Sequence, residues 1–230
     1  MNKMAPRIAG VCALAMMVIG PLSLLWIPEQ TVRPGDLDAT AALQAASPLL
    51  VRLGLLGEVG IVLIELVMAL ALLAMFEHSQ RSGARLVALT RLAMAAGQAL
   101  AAVAGAGALA LFIDGALPAG GGLLALREAS TLAWHALFSV HCAVLAAVML
   151  RESRIPRWLV AGMAVTALGY MLIGFGGLLL PEQKNLLTSG PVIMMTIGEV
   201  PFFLWLLAGR WHKAGRALSS AQPPASRRAE

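Results

Sequence analysis

The sequence is poor in charge: Asp, Glu, Lys and Arg make up 13% of its 230 residues, against roughly 25% in an ordinary soluble domain. A chain so short of charge cannot wet a compact surface, which argues against a water-soluble globule. Only two cysteines occur, Cys12 and Cys142, each inside an apolar stretch and neither in a CxxC spacing. Nothing therefore points to a disulfide framework or a cysteine-rich metal site, and buried, inert thiols are expected. Aromatic residues are also scarce, at 5%. The net charge of +5 lies on Lys and Arg set between apolar runs, not interleaved with stacking rings, so it does not read as a nucleic-acid surface. Catalytic signatures are missing too: there is no G-x-S-x-G, no Walker loop, no dinucleotide fingerprint and no HExxH.

What the chain has is apolar length. Hydrophobic residues make up 59% of it and the mean hydropathy is +0.81. Runs long enough to cross a bilayer, about 20 residues at 1.5 Å each, fall at 7–27, 50–76, 85–113, 130–150, 157–180 and 190–209. The expected fold is all-α, a polytopic membrane protein of six transmembrane helices forming one domain over 1–212. The first run, from Ile8 to Ile27, is longer than a secretory h-region and no A-x-A-like site closes it, so it reads as a retained span. Between the first two runs, Asp36 to Ala46 has capping residues ahead of an Ala-rich segment, which predicts a short helix outside the membrane. Asp114 to Glu128 reads as a connection, with a mobile stretch at Gly120-Gly121-Gly122. Residues 213–230, rich in Ser, Pro, Arg and Gln, read as a basic, disordered cytoplasmic tail.

Counting Lys and Arg by side predicts the orientation. With a cytoplasmic N-terminus, twelve basic residues lie inside, among them Lys3, Arg7, Arg81, Arg85, Arg151, Arg154 and Arg157, and four outside, Arg33, Arg52, Arg127 and Lys184. Both termini are therefore expected in the cytoplasm, with the protein in the membrane that bounds it. Trp26, Trp158, Trp205 and Trp211 fit interfacial anchors. In the third run, Gly97, Ala101 and Gly105 at four-residue spacing form a small-residue stripe suited to close helix packing. Membrane lipids are the expected surroundings, with no nucleic acid, and either a homo-oligomer or a partner membrane protein is compatible with such a surface.

Several short motifs recur in a familiar order: Arg7-Ile8-Ala9-Gly10, Ser153-Arg154-Ile155-Pro156-Arg157-Trp158-Leu159, Leu168-Gly169-Tyr170, and Gly198-Glu199 followed by Leu204-Trp205-Leu206-Leu207. With Arg91 and His141 they resemble the bacterial domain of unknown function 4386 family over about residues 7 to 210. The resemblance implies a six-helix membrane fold and no established activity.

Ionisable groups inside the hydrocarbon region cost about 2.5–3.5 kcal/mol each and usually face the protein interior. The runs contain Glu58, Glu65, Arg91, His135, His141 and Glu199. Counting from the cytoplasmic end at about 1.5 Å per residue puts Arg91 near 10 Å and His141, Glu199 and Glu65 near 14–16 Å, with Gln98, Tyr170 and His135 near 21 Å. Glu58 lies closer to the outer face. Glu58 and Glu65 are seven residues apart, as are Arg91 and Gln98, so each pair lines one helix face. His135 and His141, six apart, point about 120° away from each other and cannot chelate one ion together.

With every carboxylate ionised and the histidines neutral, three Glu and one Arg leave two surplus negative charges in a low dielectric. Protonated glutamates, charged histidines or a bound cation must compensate. The candidate ligand or ion pocket is therefore Glu65, Arg91, His141 and Glu199, with Gln98, His135, Tyr170 and Glu58 around it. The favoured role is binding or transport of a small molecule, proton or cation. The alternatives are an accessory membrane protein whose buried charges only clamp the bundle, and a metal-dependent membrane enzyme with His141, Glu199 and Glu65 as weak candidate ligands. Nothing identifies a cofactor, though haem ligation by His135 or His141 stays open.

Overall fold

A computed structural model describes residues 4–180, 182 and 191–211, with no side chain described at 191 or 192. The described residues are helical, without strands. The helices are α1 (Ala5–Gly20), which continues through a π-helical turn (Pro21–Trp26) into α2 (Ile27–Thr31), then α3 (Leu37–Ala46), α4 (Pro48–Phe76), α5 (Arg81–Ile113), α6 (Leu117–Leu150), α7 (Arg157–Leu179) and α8 (Pro191–Leu207). Five stretches are long and apolar enough to cross a membrane: Ala5–Thr31, α4, α5, α6 and α7. The last apolar helix, α8, is shorter. The expected tail and most of the connection before α8 lie outside the described residues.

Local chemistry sets the helix limits. Pro48 opens α4, where the missing N–H costs nothing. Asp36 caps α3 by accepting a 2.9 Å hydrogen bond from the Ala39 amide, so the short helix predicted outside the membrane is present. The connection expected over Asp114 to Glu128 is mostly helix. Gly115, at φ 74°, closes the chain off α5, and α6 begins two residues later. Gly120 and Gly121, expected to be mobile, sit inside α6 because their missing side chains make room: a Cβ would come within 2.5 Å of the Phe112 ring and 2.7 Å of Leu37. Close approach, not a turn, requires glycine there.

The bundle is inside-out relative to a soluble protein. On α4, Leu49, Leu56, Leu63 and Leu70, seven residues apart, are exposed, while Val51, Glu58, Glu65 and Leu72 are buried. An apolar exterior with charges turned inward needs lipid as its solvent. Two of the expected tryptophan anchors, Trp26 and Trp158, are exposed. Trp211 is not an anchor: it is buried edge-on against Phe76 with the Arg154 guanidinium over its ring.

Along α5 the small-residue stripe serves contact with α6. A Cβ on Gly97 would sit 3.5 Å from the Trp134 backbone, and the Arg127 side chain lies against Gly105. The junction of α7 and α8 is closer still, backbone on backbone at Gly162 and Gly198. The Thr166 hydroxyl donates to the Met194 carbonyl at 3.0 Å and accepts from the Gly198 amide at 2.9 Å, bridging one turn of α8 just before Glu199. Pro201 follows within the helix and cannot donate to the Ile197 carbonyl.

Candidate functional site

The seven-residue spacings on α4 and α5 come together as two polar rungs of an antiparallel helix pair. In the inner rung the Arg91 Nε donates to Glu65, and both residues are buried. Arg91 also donates through Nη1 to His141 Nε2 on α6 at 3.0 Å, and its guanidinium lies 5.5 Å from the Phe138 ring centroid. Across the imidazole, Nδ1 lies 3.1 Å from the Thr90 hydroxyl and 3.2 Å from the Val87 carbonyl. A carbonyl can only accept and a guanidinium can only donate, so His141 is the neutral Nδ1–H tautomer. Both its nitrogens are engaged by protein groups.

The outer rung pairs Glu58 with Gln98, whose amide donates at 3.3 Å, and with Arg127 of α6, which donates from Nη2 at 2.5 Å. Arg127 Nη1 reaches the Ala101 carbonyl at 3.2 Å. Assigned to an outer loop by sequence, Arg127 is instead a helical residue folded inward, which changes the charge arithmetic. The interior holds three glutamates and two arginines, so the surplus is one negative charge, not two. The signal was in the sequence: the helical spacing of Thr131 and Trp134, inside the expected span, continues back through Arg127 and Leu124, upstream of its expected start at 130.

The remaining candidates divide. Tyr170 of α7, grouped by depth with Gln98 and His135, donates its hydroxyl to Glu199 of α8 at 3.3 Å and belongs with the inner group. His135 is turned to the other end of the bundle. Its Nδ1 donates to the Thr131 carbonyl at 2.8 Å, and it lines a separate cavity of about 890 Å³ with Arg33, Asp36 and Glu128. The two histidines therefore serve different places.

A cavity of about 350 Å³ lies among α1, α4, α5, α6, α7 and α8. Glu65, Arg91, Trp134, Tyr170, Thr196 and Glu199 supply its polar atoms, and the π-helical turn of the first span brings Pro21 and Leu24 to its wall. Such widened turns are frequent at functional sites. Glu199 is half-buried there and, among the described residues, has no ion-pair partner. Two of the lining residues, Arg91 and Trp134, each hold a fully buried donor, Nη2 and Nε1, with no hydrogen-bond partner among the described residues. Among the described residues no three of His, Cys, Asp and Glu are grouped to hold a metal ion.

An all-helical bundle with an apolar exterior, helices of spanning length and charges folded inward is a polytopic membrane protein. The chain belongs to the family described as Domain of unknown function (DUF4386), whose profile matches residues 8–209, as its ordered motifs implied. No curated protein and no solved structure matches it.

Proposed function

We propose that this chain is a bacterial inner-membrane protein, both termini cytoplasmic, that binds a small solute at a polar site inside its helix bundle in a transport-related role. The shorter α8 completes a sixth crossing, and the site is the cavity walled by Glu65, Arg91, Tyr170 and Glu199. A single observation carries this reading: Glu199 is a half-buried carboxyl on that cavity whose charge no described residue pairs. A purely structural role accounts for the clamps Glu65–Arg91–His141 and Glu58–Arg127–Gln98. It accounts less well for Glu199, which tethers α7 through the Tyr170 hydroxyl but has no ion-pair partner among the described residues, a placement that costs more in a low-dielectric interior than a neutral side chain would. A metal-dependent enzyme is less well supported, since both nitrogens of His141 are engaged and Glu65 is held by Arg91.

The test is carboxyl modification of the membrane-embedded protein with dicyclohexylcarbodiimide, read by peptide mass spectrometry. The adduct is expected on Glu199, with Glu58 and Glu65 protected by their arginines. Equal labelling of Glu65, or no labelling of Glu199, removes the proposal.

A further inference from the structure

The cavity's charge, walls and open donors narrow the solute to one chemical class. We infer that its occupant is a lipophilic organic amine, a protonated nitrogen on an apolar or aromatic body that also carries a neutral hydrogen-bond acceptor. The inference rests on the binding role proposed above and names the ligand class for that site.

Three observations support it. First, Glu65 and Glu199 face a single arginine, Arg91, which is bonded to Glu65, and His141 is neutral, so among the described residues the wall carries one carboxyl more than it has cations. A guest cation balances it, and a guest anion adds to the surplus. Second, beside Glu199 stand three aromatic rings in mutual contact: Phe138 and Tyr170 with centroids 4.3 Å apart, Trp134 and Phe138 at 5.6 Å, and Trp134 and Tyr170 at 6.1 Å. Ring faces attract organic cations, and most strongly where water is excluded. Met16, Met17, Leu24, Val200 and Phe203 complete the wall, a surface for hydrocarbon.

Third, Arg91 and Trp134, which line the cavity, each keep an N–H that is closed off from it and has no partner among the described residues. A donor left open in a dry interior costs about 1–3 kcal/mol, so a small rotation of either side chain toward a guest's ether, hydroxyl or carbonyl oxygen recovers a hydrogen bond that the packed interior does not supply. A hard divalent ion fits less well: Glu65 is held by Arg91, the Tyr170 and Thr196 hydroxyls are engaged with Glu199 and the Ile193 carbonyl, and among the described residues no three of His, Cys, Asp and Glu are grouped to hold a metal ion. The volume of about 350 Å³ is at the lower end of small-molecule pockets, about 300–1,000 Å³. Met17 and Thr196 on its rim are exposed, so the cavity reaches the outside of the bundle at the seam between α1 and α8. That route suits a molecule already dissolved in the bilayer.

The experiment uses the full chain in lipid nanodiscs and three probes of matched shape: O-methyltyramine, its neutral N-acetyl amide, and the corresponding arylpropionate anion. Binding is read by calorimetry and by the fluorescence of Trp134 in a variant retaining that tryptophan alone. The amine is expected to bind best, to weaken by about tenfold or more in Glu199→Gln, and to recover in part in Glu199→Asp. Tighter binding of the amide or the anion overturns the amine class. It leaves the pocket standing only if Gly20→Phe, which fills the cavity, abolishes that binding. If none of the probes binds, or if Gly20→Phe changes nothing, the amine inference and the binding role fall together.

Discussion

His141 accepts a hydrogen bond from Arg91, Nε2 to Nη1 at 3.0 Å, and the contact fixes the state of both side chains. A charged imidazole would turn a second donor toward the guanidinium and set two cations against each other inside the bundle. Neutral His141 instead passes its remaining N–H to α5, at Thr90 and Val87, and so ties α6 to α5 through a buried arginine. At neutral pH the imidazole nitrogen spectrum of labelled protein is expected to show a neutral Nδ1–H tautomer for His141. A cationic signature would contradict the assignment.

The Glu65–Arg91 pair should behave as a unit. Arg91→Met leaves a buried carboxylate uncompensated and is expected to lower stability by about 3–5 kcal/mol, and Glu65→Gln does the mirror damage to Arg91. The double variant is expected to lose much less than the sum, because neither charge is then stranded. Unfolding of the purified protein in mixed micelles measures the cycle, and simple additivity would mean the contact carries no coupling.

On the outer rung, Gly105 and Arg127 are predicted to be interchangeable points of attack. The Arg127 side chain crosses α5 at Gly105, so Gly105→Leu should displace it from Glu58 as effectively as Arg127→Met removes it. Each is expected to cost about 2 kcal/mol or more, with little added by combining them. If Gly105→Leu is silent, Arg127 does not depend on that path.

Much of this interior was legible because membrane helices place ionisable residues by depth and by face, and both follow from counting. Seven-residue spacing alone places Glu58 with Glu65 on one face and Arg91 with Gln98 on another, and the antiparallel packing of α4 on α5 sets the two faces against each other so that one repeat serves both. Arg127 was misplaced because three glycines ahead of it resemble a loop, whereas two of them, Gly120 and Gly121, serve close contact with Phe112 and Leu37. Tyr170 could not be matched to Glu199 by depth, since a hydroxyl at the end of a long ring reaches well away from its own backbone level. The cavity depends on the π-helical turn at Pro21–Trp26 and on how α8 sits against α7, neither of which hydropathy encodes.

The seat of α8 is itself open to test. Gly198 meets Gly162 backbone to backbone, and Thr166 bridges the same turn, so the position of Glu199 rests on two small contacts. Gly198→Val is expected to force α8 away and cost about 1–3 kcal/mol. Thr166→Val, nearly the same volume, should cost about 1 kcal/mol through the lost bridge. Both should raise the accessibility of Glu199 to carbodiimide in the embedded protein, and unchanged labelling would mean that α8 is held elsewhere.

Orientation makes the remaining prediction, and it turns on a strong asymmetry: twelve Lys and Arg fall on one side of the expected spans and four on the other. Arg127 sharpens this count, because it is partly buried and paired with Glu58, so it adds little basic charge to the outer surface. The side carrying Arg81, Arg85, Arg151 and Arg154 should therefore be cytoplasmic. Single cysteines report this directly in a background with Cys12 and Cys142 replaced by alanine. Asp38→Cys, exposed on α3, should react with a membrane-impermeant maleimide in spheroplasts with intact membranes. Ser79→Cys, exposed between α4 and α5, should react only after the membrane is opened. The reverse pattern would invert the protein and place the α3 side of the bundle in the cytoplasm.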